Sequence, residues 1–306
     1  MKVEFRLPSK TFAAWRLDEN ARKLSSSGGL ASVISEAWLR KGGVVYGAAF
    51  VRPFSFQHIR CSCLEDLDRI RGSKYVQSSI NGVHKLIEKD IADHINVLFI
   101  GTPCQVAGIK AIFDNKVTSI DIICHGTPKS EILKQSIPSK VLDLDFDKVD
   151  FRECGDFKLS FKKNGGIVWS RPLRTDLYLK GFFTATFYRE CCYSCRYAIK
   201  NRISDITLGD FWGLDETAVK TTMENGISLV LVNTDKGEYL LSIVKNEIKC
   251  VERPLSEAVA GNKQLLHPMK RTWRNKVFKF MYPKIGFKWA AIMSMPELYL
   301  KGLLIR

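Results

Sequence analysis

The sequence predicts an α/β protein, mixed α+β in its detail: a mixed sheet with a parallel strand-helix-strand core, an antiparallel portion and flanking helices. Three observations predict it. The first half alternates short apolar, β-branched runs with stretches of helical spacing. Two strand ends there finish in similar turns, Gly101-Thr102-Pro103-Cys104-Gln105 and Cys124-His125-Gly126-Thr127-Pro128. The second half places Asn164-Gly165-Gly166 between two alternating runs, which is a hairpin signal.

The elements follow in order. Ser25-Ser26-Ser27-Gly28-Gly29 leads into a helix over Leu30 to Leu39, and Gly43 to Val51 reads as a strand that Phe56 to Cys61 can pair with. A helix from Leu64 to Arg71 has acidic residues at its start, where the dipole favours them, and Gly72-Ser73-Lys74 breaks it. Asn81 to His94 is helical, and Asn96 to Ile100 is a buried strand. At both strand-end turns Thr is the expected N-cap and Pro the first helical residue, where its missing N–H costs nothing. Gln105 completes a capping box with Thr102. The intervening helix makes the strands ending near Ile100 and Ile123 parallel, so Cys104 and Cys124 should face one crevice. Beyond the hairpin, a helix over Thr175 to Thr186, strands over Asp205 to Phe211 and Ser228 to Val232, and a helix near Lys236 to Lys245 complete the body.

At 306 residues, 45% hydrophobic and 26% charged, the chain suits a soluble protein with a sizeable core. It lacks the long apolar run of a membrane-spanning helix, and its start does not resemble a secretory signal, so a cytoplasmic location is expected. Nine cysteines in that setting argue against disulfides and leave metal ligation, redox chemistry or plain burial. Burial is the reading for Cys61, Cys63 and Cys250. The net charge of +15 calls for an anionic partner. Nucleic acid is not expected, since no recognisable nucleic-acid-binding motif is present. Cofactor phosphate, an acidic protein or an anionic membrane surface remain. Part of the excess lies in a basic, aromatic tail over 263–306, which either lies on a membrane surface or packs on the body as a helix with a solvated outer face; composition favours the packed helix. No linker divides the chain, and three stretches are distinguished: 1–95 with the cofactor-phosphate loops, 96–262 with the cysteines, and the tail.

Two groupings carry chemistry. Cys192-Tyr193-Ser194-Cys195 offers two thiolates from one loop, and Cys104 and Cys124 supply two more if the rim brings them together. Four thiolates suit a [4Fe–4S] cluster or a structural zinc, and unrelated thiols are the third reading. Cys191, Cys154 and His125 are rival ligands. Ser25 to Gly29 presents hydroxyls and open N–H groups at a helix N-terminus, which suits either a phosphate or an ordinary cap. Arg71-Gly72-Ser73-Lys74 adds cations that can reach a pyrophosphate, or simply ends a helix. Asp210-Phe211-Trp212-Gly213 can stack a planar ring, or belong to the core.

In combination these strings, with Gly43-Val44-Val45-Tyr46-Gly47, Phe151-Arg152 and Asp205 to Gly213, resemble the coenzyme F420 hydrogenase/dehydrogenase beta subunit family over about Phe12 to Arg253. The resemblance implies an iron-sulfur flavoprotein oxidoreductase that binds FAD, or FMN, and passes electrons between a [4Fe–4S] cluster, the flavin and a small-molecule acceptor. Many bacterial relatives belong to polysaccharide biosynthesis. Carried over by position, Cys104, Cys124, Cys192 and Cys195 hold the cluster. Ser26, Ser27, Gly28, Gly29, Lys74, Thr102 and Gln105 contact the cofactor. Many relatives begin with a ferredoxin-like segment rich in C-x-x-C runs; here no cysteine precedes Cys61, so a separate ferredoxin-like donor is expected. Glu153-Cys154-Gly155-Asp156-Phe157 stands where the family usually has a Gly-Trp loop, so the resemblance does not assign the deazaflavin as the acceptor. The alternative function is a zinc-stabilised or apo scaffold in surface-polysaccharide assembly, peripheral at the inner membrane face.

Overall fold

The computed structural model describes residues 4–153, 155–219, 221–222 and 224–304, with side chains described as far as residue 302; the rival thiol Cys154 lies outside the described residues. Eleven strands are described: β1 (Lys10–Arg16), β2 (Val44–Val51), β3 (Ser55–Cys61), β4 (Val97–Gly101), β5 (Val117–Ile122), β6 (Lys148–Glu153), β7 (Asp156–Lys163), β8 (Gly166–Pro172), β9 (Ile206–Asp210), β10 (Ser228–Val232) and β11 (Ile248–Glu252). Eight of them form one mixed sheet in the order β11-β1-β10-β9-β5-β4-β2-β3. Its centre is parallel, with β2 beside β4, β4 beside β5 and β5 beside β9. Its flanks are antiparallel. The parallel strand-helix-strand core is therefore present, and the helix Pro103–Phe113 makes its crossover.

Both faces of this sheet are covered. On one, the Leu30–Arg40 helix buries Leu30, Val33, Ile34 and Trp38 against β2, β4, β5 and β9. On the other, Val83 and Ile87 meet Val106, Ala107 and Ile109. Such two-sided burial explains why β10 reads Ser-Leu-Val-Leu-Val with every residue buried.

The remaining strands, β6, β7 and β8, make a separate antiparallel sheet. The Asn164-Gly165 turn joins β7 to β8 with both residues at positive φ, 49° and 81°, the geometry this dipeptide favours. Phe151, Leu159 and Phe161 bury one face of that sheet in a core shared with the helices Ser130–Ser136, Leu177–Phe183 and Trp273–Ser294. The tail is thus a packed helix, as its composition favours. Its outer face is not merely solvated, because exposed aromatic residues lie among its lysines.

Three expectations need correction. Cys63, read as buried, is exposed. Thr127-Pro128 does not open a helix: the helix starts at Ser130, with Lys129 as its N-cap. The 127–128 carbonyls are engaged elsewhere, accepting the Arg189 N–H at 3.1 Å and the Gln77 N–H at 2.9 Å, which holds this stretch as a connection. The helix expected from Leu64 is reduced to Leu67–Ile70. Asp66 turns its carboxylate back to the Ser62 N–H at 3.0 Å, a local bond that competes with an earlier helical start.

Buried polar groups lock the parallel centre. Asp205 accepts hydrogen bonds from the Ser119 N–H and hydroxyl, both at 2.8 Å, and from Thr234 at 2.8 Å. Arg202 pairs with the wholly buried Asp121 at 2.8 Å, and its other nitrogen donates to the Tyr197 and Ile199 carbonyls. That grip fixes the chain just after the paired-thiol loop.

Candidate functional site

A cleft of about 870 Å³ opens at the carboxyl ends of the parallel strands. This is where open α/β sheets bind ligands, because the strand order there leaves a gap between diverging connections. Ser26, Ser27, Gly29, Lys74, Thr102, Gln105, Cys104 and Cys124 all line it. The predicted phosphate loops and two of the predicted thiols therefore share one cavity.

The serine loop enters the Leu30–Arg40 helix through Gly29 at φ 83°, a left-handed conformation that a side chain would strain. No side chain caps this helix, so its first N–H groups at Leu30, Ala31 and Ser32 lie at the cleft wall. Free N–H groups at a helix N-terminus are a ready anion site. Gly28 has another role. A Cβ there would stand 2.4 Å from the Ala14 carbonyl oxygen and 2.7 Å from the Ser228 nitrogen, so its small size lets the loop lie on β1 and β10. Ser26 accepts the Ser73 N–H at 2.7 Å and joins the two phosphate-type loops. Arg71, also on the wall, keeps a buried Nε with no hydrogen-bond partner among the described residues. Lys74 donates to the Arg71 and Gly72 carbonyls at 2.5 and 3.1 Å, and burial pushes its ammonium down to about 8 against the opposing pull of Asp150. The open helix amides and the Arg71 Nε are donors that suit an anionic ligand.

Cys104 is the second residue of the Pro103–Phe113 helix and exposed to the cleft, and its sulfur lies 3.2 Å from the Thr102 hydroxyl. The expected capping box forms, with the Thr102 N–H donating to Gln105 Oε1 at 3.0 Å. Sequence reasoning missed what stands behind it. Gln105 Nε2 donates to Ser78 Oγ at 3.1 Å, and the Ser78 hydroxyl donates in turn to His58 Nδ1 at 3.2 Å. The opposite ring nitrogen of His58 donates to the Ile100 carbonyl at 3.0 Å, a tautomer assigned from these partners. Burial pushes His58 down to about 4, so it stays neutral. No sequence signal connects His58 with Gln105; only the sheet brings them together.

The paired-thiol loop approaches from beyond the cleft. Burial pushes the Cys124 thiol up, and the neighbouring Cys104, Cys192 and Cys195 push it further. Burial also raises Cys195, with Cys104 and Cys191 adding to it. Cys192 is raised by burial and Cys191, while Thr127 donates to it in opposition. Cys104, Cys192 and Cys195 thus all bear on Cys124, and Cys104 bears on Cys195 as well. The contact between loops depends on Gly126, where a Cβ would stand 2.4 Å from the Tyr188 ring. Among the described residues, no three His, Cys, Asp or Glu side chains form a group able to hold a metal ion.

An aromatic wall closes another side. Phe157, Phe182 and Phe183 line the cleft, and Tyr75 stacks on Phe182 at 4.6 Å. Arg152 pairs with Asp210 at 2.6 Å and lies over the Phe157 ring at 4.9 Å. Asp210 and Trp212 line the cleft, as the stacking reading expects, whereas Phe211 is core. His125 also lines it and is lowered by burial, with Asp210 opposing.

The donor sets fit the implied groups. Open helix amides, an orphaned guanidinium nitrogen and an aromatic wall suit a flavin nucleotide, and cysteines are the donor type of a [4Fe–4S] site.

Comparison with known proteins bears on the fold and the family. No curated protein sequence matches the chain. A component of the F420-reducing [NiFe] hydrogenase complex from Methanosarcina barkeri, solved as a xenon derivative, is similar in fold with a TM-score of 0.57 and 17% identity, covering 100% of this chain and 94% of that one. Residues 95–258 match the family model for the C terminus of the beta subunit of coenzyme F420 hydrogenase/dehydrogenase. That stretch is more than half of the sequence and contains all four predicted thiols, so the chain belongs to the coenzyme F420 hydrogenase/dehydrogenase beta subunit family, a family of oxidoreductases.

Proposed function

We propose that this protein is a flavin-dependent, iron-sulfur oxidoreductase that takes electrons from a separate ferredoxin-like donor and delivers them to a small-molecule acceptor. One observation carries the reading. The serine loop, Lys74, Thr102, Cys104 and Cys124 converge on a single cleft, with the Cys192 and Cys195 thiols bearing on Cys124 from behind.

A flavin would supply the exchange between one-electron and two-electron transfer that such a pathway needs. The chain's own residues do the rest. The Leu30, Ala31 and Ser32 amides with Arg71 bind the nucleotide's phosphates; Ser26 holds the second loop against the first. Phe157, Phe182 and Phe183 exclude water from one side of the cleft. Arg152 holds Asp210 in place by a charge-assisted bond. Cys104, Cys124, Cys192 and Cys195 would hold the cluster. Four thiolates from three segments are the ligand set that a [4Fe–4S] cluster takes, one on each iron.

Anaerobic purification followed by an absorbance spectrum and by iron, zinc and flavin quantitation tests the proposal. The expected product is brown-yellow, with about four irons and one flavin per chain. Cys192→Ser and Cys195→Ser should each lose iron and retain flavin. A colourless protein with stoichiometric zinc and no flavin would overturn the reading and favour the scaffold.

A further inference from the structure

We propose that the outer face of the Trp273–Ser294 helix is a docking surface for an anionic lipid bilayer. This goes beyond the redox reading and does not depend on it.

The Trp273–Ser294 helix is broken at Gly286, where φ is 70° and ψ 178°, and Pro283 precedes the break. Both halves bury their inner faces in the same core, through Phe278 before the break and Phe287, Ala290 and Ala291 after it. The outer faces should then be polar. They are not. Before the break, Trp273, Lys276, Phe280 and Lys284 follow one another at spacings of three and four, which places them on one stripe. Trp273 is 50% and Phe280 63% exposed; after the break, Trp289 is 58% and Met293 48% exposed. Soluble proteins seldom leave several large apolar side chains in water along one helix unless something covers them.

Charge identifies what covers them. Residues 263–306 contain ten lysines and arginines against one glutamate, so this stretch holds nine of the fifteen net positive charges. Glu297 is already paired with Arg274. The cations stand among the aromatics: Lys284 lies 3.4 Å over the Phe280 ring, and Lys288 5.3 Å over that of Trp289. Tryptophan and phenylalanine among lysines, on a helix fixed to a globular body, match the headgroup region of an anionic leaflet, where rings enter the acyl boundary and ammoniums meet phosphate. Among the described residues no helix is long and apolar enough to cross a membrane, so this helix would lie on the surface.

The surface is also tied to the redox loop. Asn275 donates to the Tyr193 hydroxyl at 2.8 Å and to the Thr186 carbonyl at 3.1 Å, and Arg271 pairs with Glu190 at 2.7 Å. Membrane contact would orient the Cys192–Cys195 segment relative to the bilayer.

The test is sedimentation of the full chain with phosphatidylcholine vesicles containing or lacking phosphatidylglycerol. Binding is expected only with the anionic lipid, weakening as salt rises, with a blue shift of tryptophan emission. A Lys276→Gln, Lys284→Gln double variant should bind about thirtyfold more weakly. A Phe280→Ser, Trp289→Ser variant should lose the interaction, and both should keep the wild-type thermal midpoint because these side chains point outward. Failure to bind anionic vesicles at low salt would overturn the proposal. So would equal binding to neutral vesicles, or a self-associating wild type whose dimer the serine variant disrupts.

Discussion

The Ser73 amide donates to the Ser26 hydroxyl at 2.7 Å, joining two loops 47 residues apart in sequence. Each loop alone is an ordinary helix boundary; joined, they form one wall of the cleft. Ser26→Ala leaves the Ser73 N–H without this acceptor, and should cost about 1 kcal/mol in local stability. Amide exchange at Ser73 should quicken about fivefold while the global melting temperature barely moves. Unchanged exchange would mean that the loops are held by other contacts.

Gly28 tests how closely that wall is packed. Gly28→Ala drives a methyl group into the backbone of both Ala14 and Ser228, neither of which can turn aside, so a loss of about 1–3 kcal/mol is expected in denaturant titration. Gly108, inside the Pro103–Phe113 helix, is the control. The nearest atom to a Cβ there is Ile80 Cδ1 at 4.0 Å, so Gly108→Ala should be neutral or stabilise by up to about 1 kcal/mol.

Arg202 and Asp121 form a buried pair whose value lies in its completeness. Arg202→Met leaves the Asp121 carboxylate without its cation and frees the Tyr197 and Ile199 carbonyls. The expected loss is about 3–5 kcal/mol. Iron content should fall with it, because the same guanidinium fixes the chain that leaves Cys195.

His58 gives the fold a pH dependence of known sign. Burial lowers it from 6.5 to about 4, so between those values the unfolded chain binds a proton that the folded chain refuses. Stability contributed by neutral His58 is complete above pH 6.5 and is lost as pH falls towards 4, by up to about 3 kcal/mol. Denaturation at several pH values should show this slope, and His58→Asn should flatten it while lowering stability at neutral pH.

Much of this architecture is legible in short range. The Gly101-to-Gln105 turn announces a strand end, a capped helix and a thiol at its second position, and each is found. Asn164-Gly165 fixes its hairpin through two positive φ angles. The strands β1, β6 and β11 went unanticipated. β1 is paired on both sides by strands more than 200 residues later, and no local pattern reports that. In the site, the thiols and phosphate loops are visible because each is a compact string. The His58–Ser78–Gln105 chain and the Arg152–Asp210 pair are invisible because their members meet only through tertiary packing. Thr127-Pro128 misled for a similar reason: a good local helix start gave way to hydrogen bonds from Gln77 and Arg189.

Asn275 and Tyr193 are separated by 82 positions, yet one holds the other. During synthesis the thiol-bearing loop therefore leaves the ribosome well before the helix that steadies it. Its final shape must wait until Asn275 has been made as well. Any inorganic centre assembled there would be inserted late, into a folded body rather than a growing one, and deleting residues from 273 onward should leave a protein that folds its large sheet but cannot mature its cysteine segment.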